Sequence, residues 1–313
     1  MVIPTAARGK APLWSRLKRD MRRHWPYYLM ILPALSYYFV FHYLPMTGIV
    51  MAFENYRPRL GIFGSPWVGL ENFRTFFSSY YFTRLLGNTL IISFMDILVS
   101  FPAAILFALL INEVRNKPFK KTVQTISYLP YFISLVVVCG LVKDFTENGG
   151  AISMLVESLG GPSGSLIANP AAFRSIFVTS GVWQNLGYNS IIYICAFTTI
   201  DQELYESARI DGASRLKQTL HITLPSIAPT IIIMLILRVG SIMTVGHEKI
   251  ILLYSPATYE TADVISSFVY RRGLIESDYS FATAVGLFNS VCNLGLLCIT
   301  NALSRKYTEA SLW

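Results

Sequence analysis

Charge is what this sequence has least of. Only 14% of its 313 residues are Asp, Glu, Lys or Arg, against about 25% in an ordinary soluble domain. A soluble core of this length needs a polar skin, and these residues are too few to make one. A soluble globular enzyme, a disordered chain and a nucleic-acid binder are excluded as first readings. Cysteine is scarce too. Cys139, Cys195, Cys292 and Cys298 all lie inside apolar runs, with no C-x-x-C pair; there a thiol behaves as a small hydrophobe. No G-x-x-x-x-G-K-[ST] loop is present: Gly9-Lys10 is followed by Ala11, and no glycine-rich turn precedes it. The usual cradle for ATP phosphates is missing, and this chain is expected to bind no cofactor itself. His247-Glu248-Lys249 is not part of an H-E-x-x-H pair of zinc ligands, so no metal site is expected. No repeat and no Gly/Ser linker divides the chain.

What the sequence has in excess is apolar surface. Hydrophobic residues make up 53% of it, and the mean hydropathy is +0.47. The excess falls in six runs long enough for a bilayer, which takes about 20 residues. They are residues 27–53, 88–111, 122–145, 172–200, 222–253 and 280–303. The fifth is too long for one straight span, and its end from Gly246 onward is expected outside the hydrocarbon. The expected fold is an all-α integral membrane protein: a basic arm, residues 1–26, then a six-helix transmembrane domain, residues 27–313. The aromatic-rich stretch 54–87 is expected to lie in the membrane interface. Residues 147–169, rich in Gly, Ser and Pro, read as turns, and residues 261–270 as a short helix.

The net charge of +8 reports topology. Arg8, Lys10, Arg16, Lys18, Arg19, Arg22 and Arg23 precede the first run. Arg115, Lys117, Lys120 and Lys121 follow the second, Arg209, Arg215 and Lys217 the fourth, and Arg305 and Lys306 the sixth. The alternate loops carry only Arg57, Arg59, Arg74, Arg84, Arg271 and Arg272. Lys and Arg stay on the cytoplasmic side, so both termini are expected there, in agreement with an even number of spans. The apolar run behind the basic arm is too long for a signal peptide and reads as a retained helix.

One cytoplasmic loop, residues 201–225, carries more than topology. Asp201 is placed to cap a helix on which Leu204 and Ala208 share a face and Glu206 can pair with Arg209. Gly212 after Asp211 offers the left-handed position that ends it. Ser214 is placed to cap a second helix, with Leu216 and Leu220 four apart. Pro225 and Pro229 stand where the next span begins. A helix, a glycine corner and a second helix joined to a span can carry a push from a soluble partner into the membrane. The bland reading is an ordinary interfacial loop.

The residues of this loop decide between the two. Glu206, Ala208, Asp211, Gly212 and Ala213, with Ile222, Leu224 and Pro225, form a gapless pattern that resembles the EAA loop of ABC-importer permeases. Ser207 departs from it, standing where Ala is usual, as does Thr219, where an aromatic is common; Ser207 is small enough to keep a close approach. W-V-G-L-E-N-F at 67–73, N-T-L at 88–90 and W-Q-N-L-G-Y-N at 183–189 resemble the carbohydrate branch that includes the maltose permease. E-K-I-I-L-L-Y-S-P at 248–256 and V-Y-R-R-G at 269–273 resemble its subgroup for oligosaccharides, including acidic ones such as alginate or pectin fragments. The resemblance implies a permease of a bacterial cytoplasmic membrane that works with a second, different permease chain, two ATPase subunits that hold ATP and Mg, and an extracytoplasmic binding protein. It implies no enzyme activity and no nucleic acid. Glu206, Ser207, Ala208, Asp211, Gly212, Ala213, Leu224 and Pro225 would couple it to an ATPase. A permease for another small solute and a stand-alone secondary transporter are the alternatives.

Polar residues within the runs are the candidates for a substrate path, because ionisable groups in a span face the bundle or a cavity. Arg238 either lines the path or pairs with a buried carboxylate or carbonyls; Asp96 in the second run is a candidate partner or else a structural polar contact, and the sequence does not pair the two. Asn185, Tyr188 and Asn189 share a helix face, with Tyr193 beyond; a ring beside amides suits a sugar, and the same residues also serve packing. Asn289 and Asn293 are a second candidate pair. Glu248, Lys249, Arg271 and Arg272, near the outer ends of their spans, are expected at a gate or against the binding protein, or else as solvated interfacial charges.

Overall fold

The computed structural model describes residues 13–307 and Ser311; the first twelve residues of the basic arm lie outside them. Among the described residues all extended structure is helical, apart from one isolated antiparallel bridge between Glu54 and Trp67. Helix α1 (Leu13–Tyr38) runs on through a π turn and a 3-10 stretch to Phe53. It is kinked at His24 (φ −117°), just before Pro26, whose ring cannot accept a regular preceding turn. The short α2 (Glu71–Ser78) leads to α3 (Tyr80–Glu113), 34 residues long, or about 51 Å. Phe76 of α2 is fully buried against Phe82, Phe281 and Phe288. The aromatic-rich stretch is therefore partly core, whereas Trp67 and Tyr80 stay exposed.

Among the described residues, four helical segments are long and apolar enough to cross a membrane: Met21–Phe53, Tyr80–Glu113, Arg215–Gly240 and Tyr279–Lys306. A fifth arises if a bent pair is one span. That pair occupies the third predicted run, where α4 (Lys117–Tyr128) and α5 (Leu135–Thr146) replace the expected straight helix. The segments on either side of the break stand at 99°. Pro130 lacks an N–H to continue the ladder, and Ser134 Oγ accepts from Val137 N to start α5 afresh. Residues 151–158, read as turns from their surroundings, form helix α6 (Ala151–Ser158).

Helix α7 (Pro170–Phe197) has 28 residues and fills the fourth predicted run, but is not among the apolar segments. It packs on α3, α4, the Leu129–Phe132 turn and α5, and on three later elements: α10 (Leu224–Gly240), the Pro256–Thr258 turn and α12 (Tyr259–Ala262). Between α7 and α10 lie α8 (Gln202–Ile210) and α9 (Arg215–Gln218). The fifth run breaks at Ser241, earlier than the expected Gly246, and resumes as the separate α11 (His247–Leu253). The predicted helix over 261–270 is two pieces, α12 and α13 (Ile265–Tyr270). Asp263 divides them because its buried carboxylate is bonded to Ser267 and Arg271. Helix α14 (Tyr279–Tyr307) closes the bundle. Three apolar clusters hold the helices: one around Phe76 and Phe281, one around Phe173 and Phe177, and one around Tyr193, Phe197 and Ile227 toward α8.

Candidate functional site

Two places bring the predicted residues together. The first is the corner between α7 and α10. Asp201 Oδ1 accepts from Glu203 N at 3.0 Å and starts α8. At the other end Ala213 N reaches back to Ala208 O (2.8 Å) and Gly212 N to Arg209 O (3.1 Å), with Gly212 at φ +74°. This double closure is a Schellman cap; an L residue at its left-handed position is strained. Ser214 Oγ caps α9, and Gln218, itself buried, donates to Ala213 O at 2.8 Å across the inside of the corner. A π turn (Thr219–Thr223) carries the chain into α10, with Leu224 and Pro225 in its first turn.

Two ties hold the corner to the bundle. The Tyr205 hydroxyl meets Thr223 Oγ1 at 2.8 Å, and Arg215 pairs with Glu113 at the end of α3 at 3.7 Å. Glu206, Ser207, Asp211, Gly212 and Pro225 are exposed; Ala208, Ala213 and Leu224 are half-buried. The Glu206–Arg209 pair that the spacing allows is not formed. An exposed pair of this kind is worth only about 0.3–0.5 kcal/mol, too little to fix two long side chains. Leu204, Ile210 and Leu216 also stand exposed, Ile210 by 87%. The corner thus presents an apolar rim around an unpaired carboxylate.

The second place is the middle of the bundle. A cavity of about 170 Å³ is lined by Asp96, Gly181, Asn185, Arg238, Thr244 and Lys249, among others. A second, of about 200 Å³ and nearer the corner, is lined by Ser100, Phe101, Tyr188, Asn189, Tyr193 and Arg238. Arg238 belongs to both. Its guanidinium pairs with the Asp96 carboxylate, which also accepts from Ser100 Oγ at 2.6 Å. The α7 face read from the sequence is therefore divided. Asn185, bonded to Gly181 O at 2.9 Å, serves the first cavity, and Tyr188 and Asn189 the second. Tyr188 lies flat on Tyr131, ring centres 3.7 Å apart. Tyr193 is core, 2% exposed and edge-on to Phe101. Asn293 is occupied by the turn that ends α10, accepting from Met243 N and donating to Thr244 Oγ1. Asn289 Oδ1 has no hydrogen-bond partner.

The charges grouped at the outer ends of the spans separate in the structure. Glu248 is exposed, whereas Lys249 is buried and turns to the first cavity, donating to Phe177 O at 2.9 Å. Arg271 is bonded to Asp263 at 2.6 and 3.2 Å. Burial by itself would lower its pKa; the Asp263 carboxylate and Tyr254 outweigh that and raise it, so the guanidinium stays charged. Arg272 pairs with Glu276 and Asp278. Both line a large cavity of about 640 Å³ with Arg84, Tyr81, Tyr259 and Phe268, and the Nε atoms of Arg84 and Arg272 are buried without a partner. Sequence reading missed this network's centre. Asp263 is fully buried, and Arg174 joins the same end of the bundle through Asn88 Oδ1 at 2.7 Å. The available signal was an acid flanked by two apolar residues, Ala262 and Val264.

Residues 89–309 match the family described as binding-protein-dependent transport system inner membrane component. Protein LplB of Bacillus subtilis (strain 168) is 40% identical over 312 residues, covering 99% of this chain and 97% of LplB. The polygalacturonan/rhamnogalacturonan transport system permease protein YteP of the same organism is 42% identical over 287 residues, covering 91% of this chain and 89% of YteP. A chain in the crystal structure of a bacterial alginate ABC transporter, in complex with an alginate pentasaccharide-bound periplasmic protein, superposes with a TM-score of 0.87. It is 43% identical, and the match covers 95% of this chain and all of that one.

Proposed function

The chain belongs to the inner-membrane component family of binding-protein-dependent transport systems, and on that premise we propose how it carries its cargo and what that cargo is. It is the permease subunit of an ABC importer for carbohydrate, spans the inner membrane several times and is not itself the ATPase. Its partners are a second permease, ATPase subunits and an extracytoplasmic binding protein.

With the bent α4–α5 pair as span three and α7 as span four, the chain crosses six times and both termini lie in the cytoplasm, on the side richer in Lys and Arg. ATP and Mg sit on the ATPases. Helix α8 docks there, its exposed Glu206 meeting a basic or polar group and its apolar rim entering a groove, with Ser207 and Ala208 at the close approach. Closure of the ATPases pushes the corner at Asp211, Gly212 and Ala213. The push passes through the Tyr205–Thr223 contact and the Leu224-Pro225 turn into α10, which carries Arg238. Alternating access follows as each state is stabilised by a different ligand. Asn185, Tyr188, Asn189 and Arg238 border the path; Arg271 and Arg272, with Glu248, face the binding protein.

The cargo is an oligosaccharide that carries uronic acids. YteP is named for polygalacturonan and rhamnogalacturonan, and the structural neighbour for alginate. Arg238 and Lys249, against Asp96 alone, leave the first cavity with one positive charge in excess.

The observation that carries the coupling is the Schellman corner tied to α10. Gly212→Val strains the left-handed position and should leave the chain in the membrane and bound to its partner permease. ATP-driven uptake in proteoliposomes should fall to background. Uptake at the unmodified rate would sink the coupling assignment.

A further inference from the structure

Among the described residues, Lys249 is a buried charge with no acidic partner. Its side chain is 8% exposed, and no carboxylate among the described residues lies within ion-pair distance of it. Its one hydrogen bond is to Phe177 O, and the ammonium stands 4.7 Å over the Phe177 ring. An ammonium has three donors, so two face the cavity unfilled. A buried unpaired charge is costly, and no acid among the described residues offsets that cost at ion-pair distance. Glu248, the nearest acid in sequence, is exposed. Asp96, the acid in the same cavity, is already held by Arg238 and Ser100. Gly181 stands beside the ammonium, and a Cβ there would come within 3.3 Å of Nζ and narrow that space. Asn185 bounds the cavity beside it and spends its Nδ2 on Gly181 O, leaving its Oδ1 for a hydroxyl.

We infer that this cavity between α3, α7 and α11 binds the carboxylate of one uronate ring of the cargo, with Lys249 as its receptor. The inference rests on the acidic-cargo reading above. The chemistry is that of charge-assisted hydrogen bonds, which are shorter and stronger than neutral ones. A neutral sugar could fill the same volume but would leave the ammonium unpaired, so Lys249 sets specificity and not merely affinity. Asp96 plays the complementary part: it keeps Arg238 neutralised between the two cavities, so that the ammonium is the one cation left for the incoming acid.

The test uses the complete importer with its binding protein in proteoliposomes. Uptake of trigalacturonate is compared with that of its neutral methyl ester, and the ratio of the two is read for the unmodified chain, Lys249→Gln and Lys249→Arg. The binding protein's own preference is common to all three and cancels. Lys249→Gln keeps a donor for Phe177 O and should lower the acid-to-ester ratio about tenfold, the scale of one charged hydrogen bond; Lys249→Arg should largely restore it. An unmodified chain that takes up acid and ester equally would overturn the acidic-cargo reading and this site with it. A preference for the acid that survives in Lys249→Gln would overturn the site alone. So would equal losses on both cargoes in Lys249→Gln without rescue by Lys249→Arg, which would make Lys249 a packing residue.

Discussion

Helices α1 and α7 are opposites. The first span, Met21–Phe53, is apolar enough to be recognised as a membrane helix, yet its most apolar window buries nothing against the rest of the chain. Helix α7 fails that test of composition, yet it packs against α3, α4, α5 and α10 and buries one face, including Gln184, Gly187, Ser190 and Tyr193. The contrast shows what hydropathy measures. It reports contact with lipid, not passage through the membrane. A helix shielded on one face by its neighbours can carry Gln184 and Asn185 there because it never has to dissolve them in hydrocarbon. The first span meets other helices only at its Leu44–Phe53 end, against α14 and α2; the stretch before it meets none closely and must be apolar toward lipid. The polar, packed helix is also the one that lines both cavities.

The sharpest way to break this contrast is one substitution made in both places. A Cβ added at Gly187 of α7 would collide with the backbone carbonyl of Ser127 and approach the Tyr128 ring at 2.7 Å. Backbone cannot swing aside as a side chain can, so α7 and α4 would have to part. Gly187→Ala should cost more than the about 1–3 kcal/mol typical of overpacking and should sharply reduce the yield of folded protein in mild detergent. Gly48, in the continuation of α1, meets only Met51 Cε at 3.4 Å. Gly48→Ala should leave that yield unchanged. Equal yields for the two variants would remove α7 from the centre of the bundle.

A smaller effect is expected where α7's cavities meet α3 and α10. Arg238→Met and Asp96→Asn each leave one partner of the ion pair without the other. A fully enclosed pair broken this way loses about 3–5 kcal/mol. The Arg238 side chain is 48% exposed, so about 1–2 kcal/mol is the better expectation once solvent screening is allowed for. The double variant should lose less than the sum of the two, because neither charge is then stranded. Thermal unfolding of the solubilised importer reads the cycle; strictly additive losses would mean that the pair is not coupled.

How much of this was legible in the sequence depended on whether the signal was local. The α8 corner was legible almost residue by residue, since Asp201, Gly212 and Ser214 act on their own neighbours through caps and a left-handed turn. Four of the six apolar runs were legible as apolar helices, and the third holds a bent pair, but their breaks were not legible. Pro130 and Ser134 bend the third, and Asn293, some fifty residues away in sequence, holds the turn that ends the fifth. The division of charges at the far end was hidden for the same reason. Nothing local distinguishes Glu248 from Lys249; one is buried and the other exposed because α11 packs on α5 and α13. Periodicity placed Asn185, Tyr188 and Asn189 on one face but could not show that Arg238, reaching in from α10, divides that face in two.

The smallest effect sharpens the comparison most, because it asks whether α1 is truly without neighbours. Leu35 in the middle of α1 is 60% exposed. With lipid on both sides of the change, Leu35→Ala should alter the unfolding free energy of the solubilised chain by less than about 0.5 kcal/mol, as for substitutions that touch nothing. The same variant should then be measured in the assembled importer. An unchanged midpoint in the assembly would leave α1 facing lipid, and its apolar composition would be explained by that alone. A loss of about 2 kcal/mol or more in the assembly, with none in the isolated chain, is the scale of a cavity left by a packed leucine. It would show that α1 packs against the partner permease. The lesson of α7 would then apply twice, since a helix that looks unburied in one chain would be buried by another.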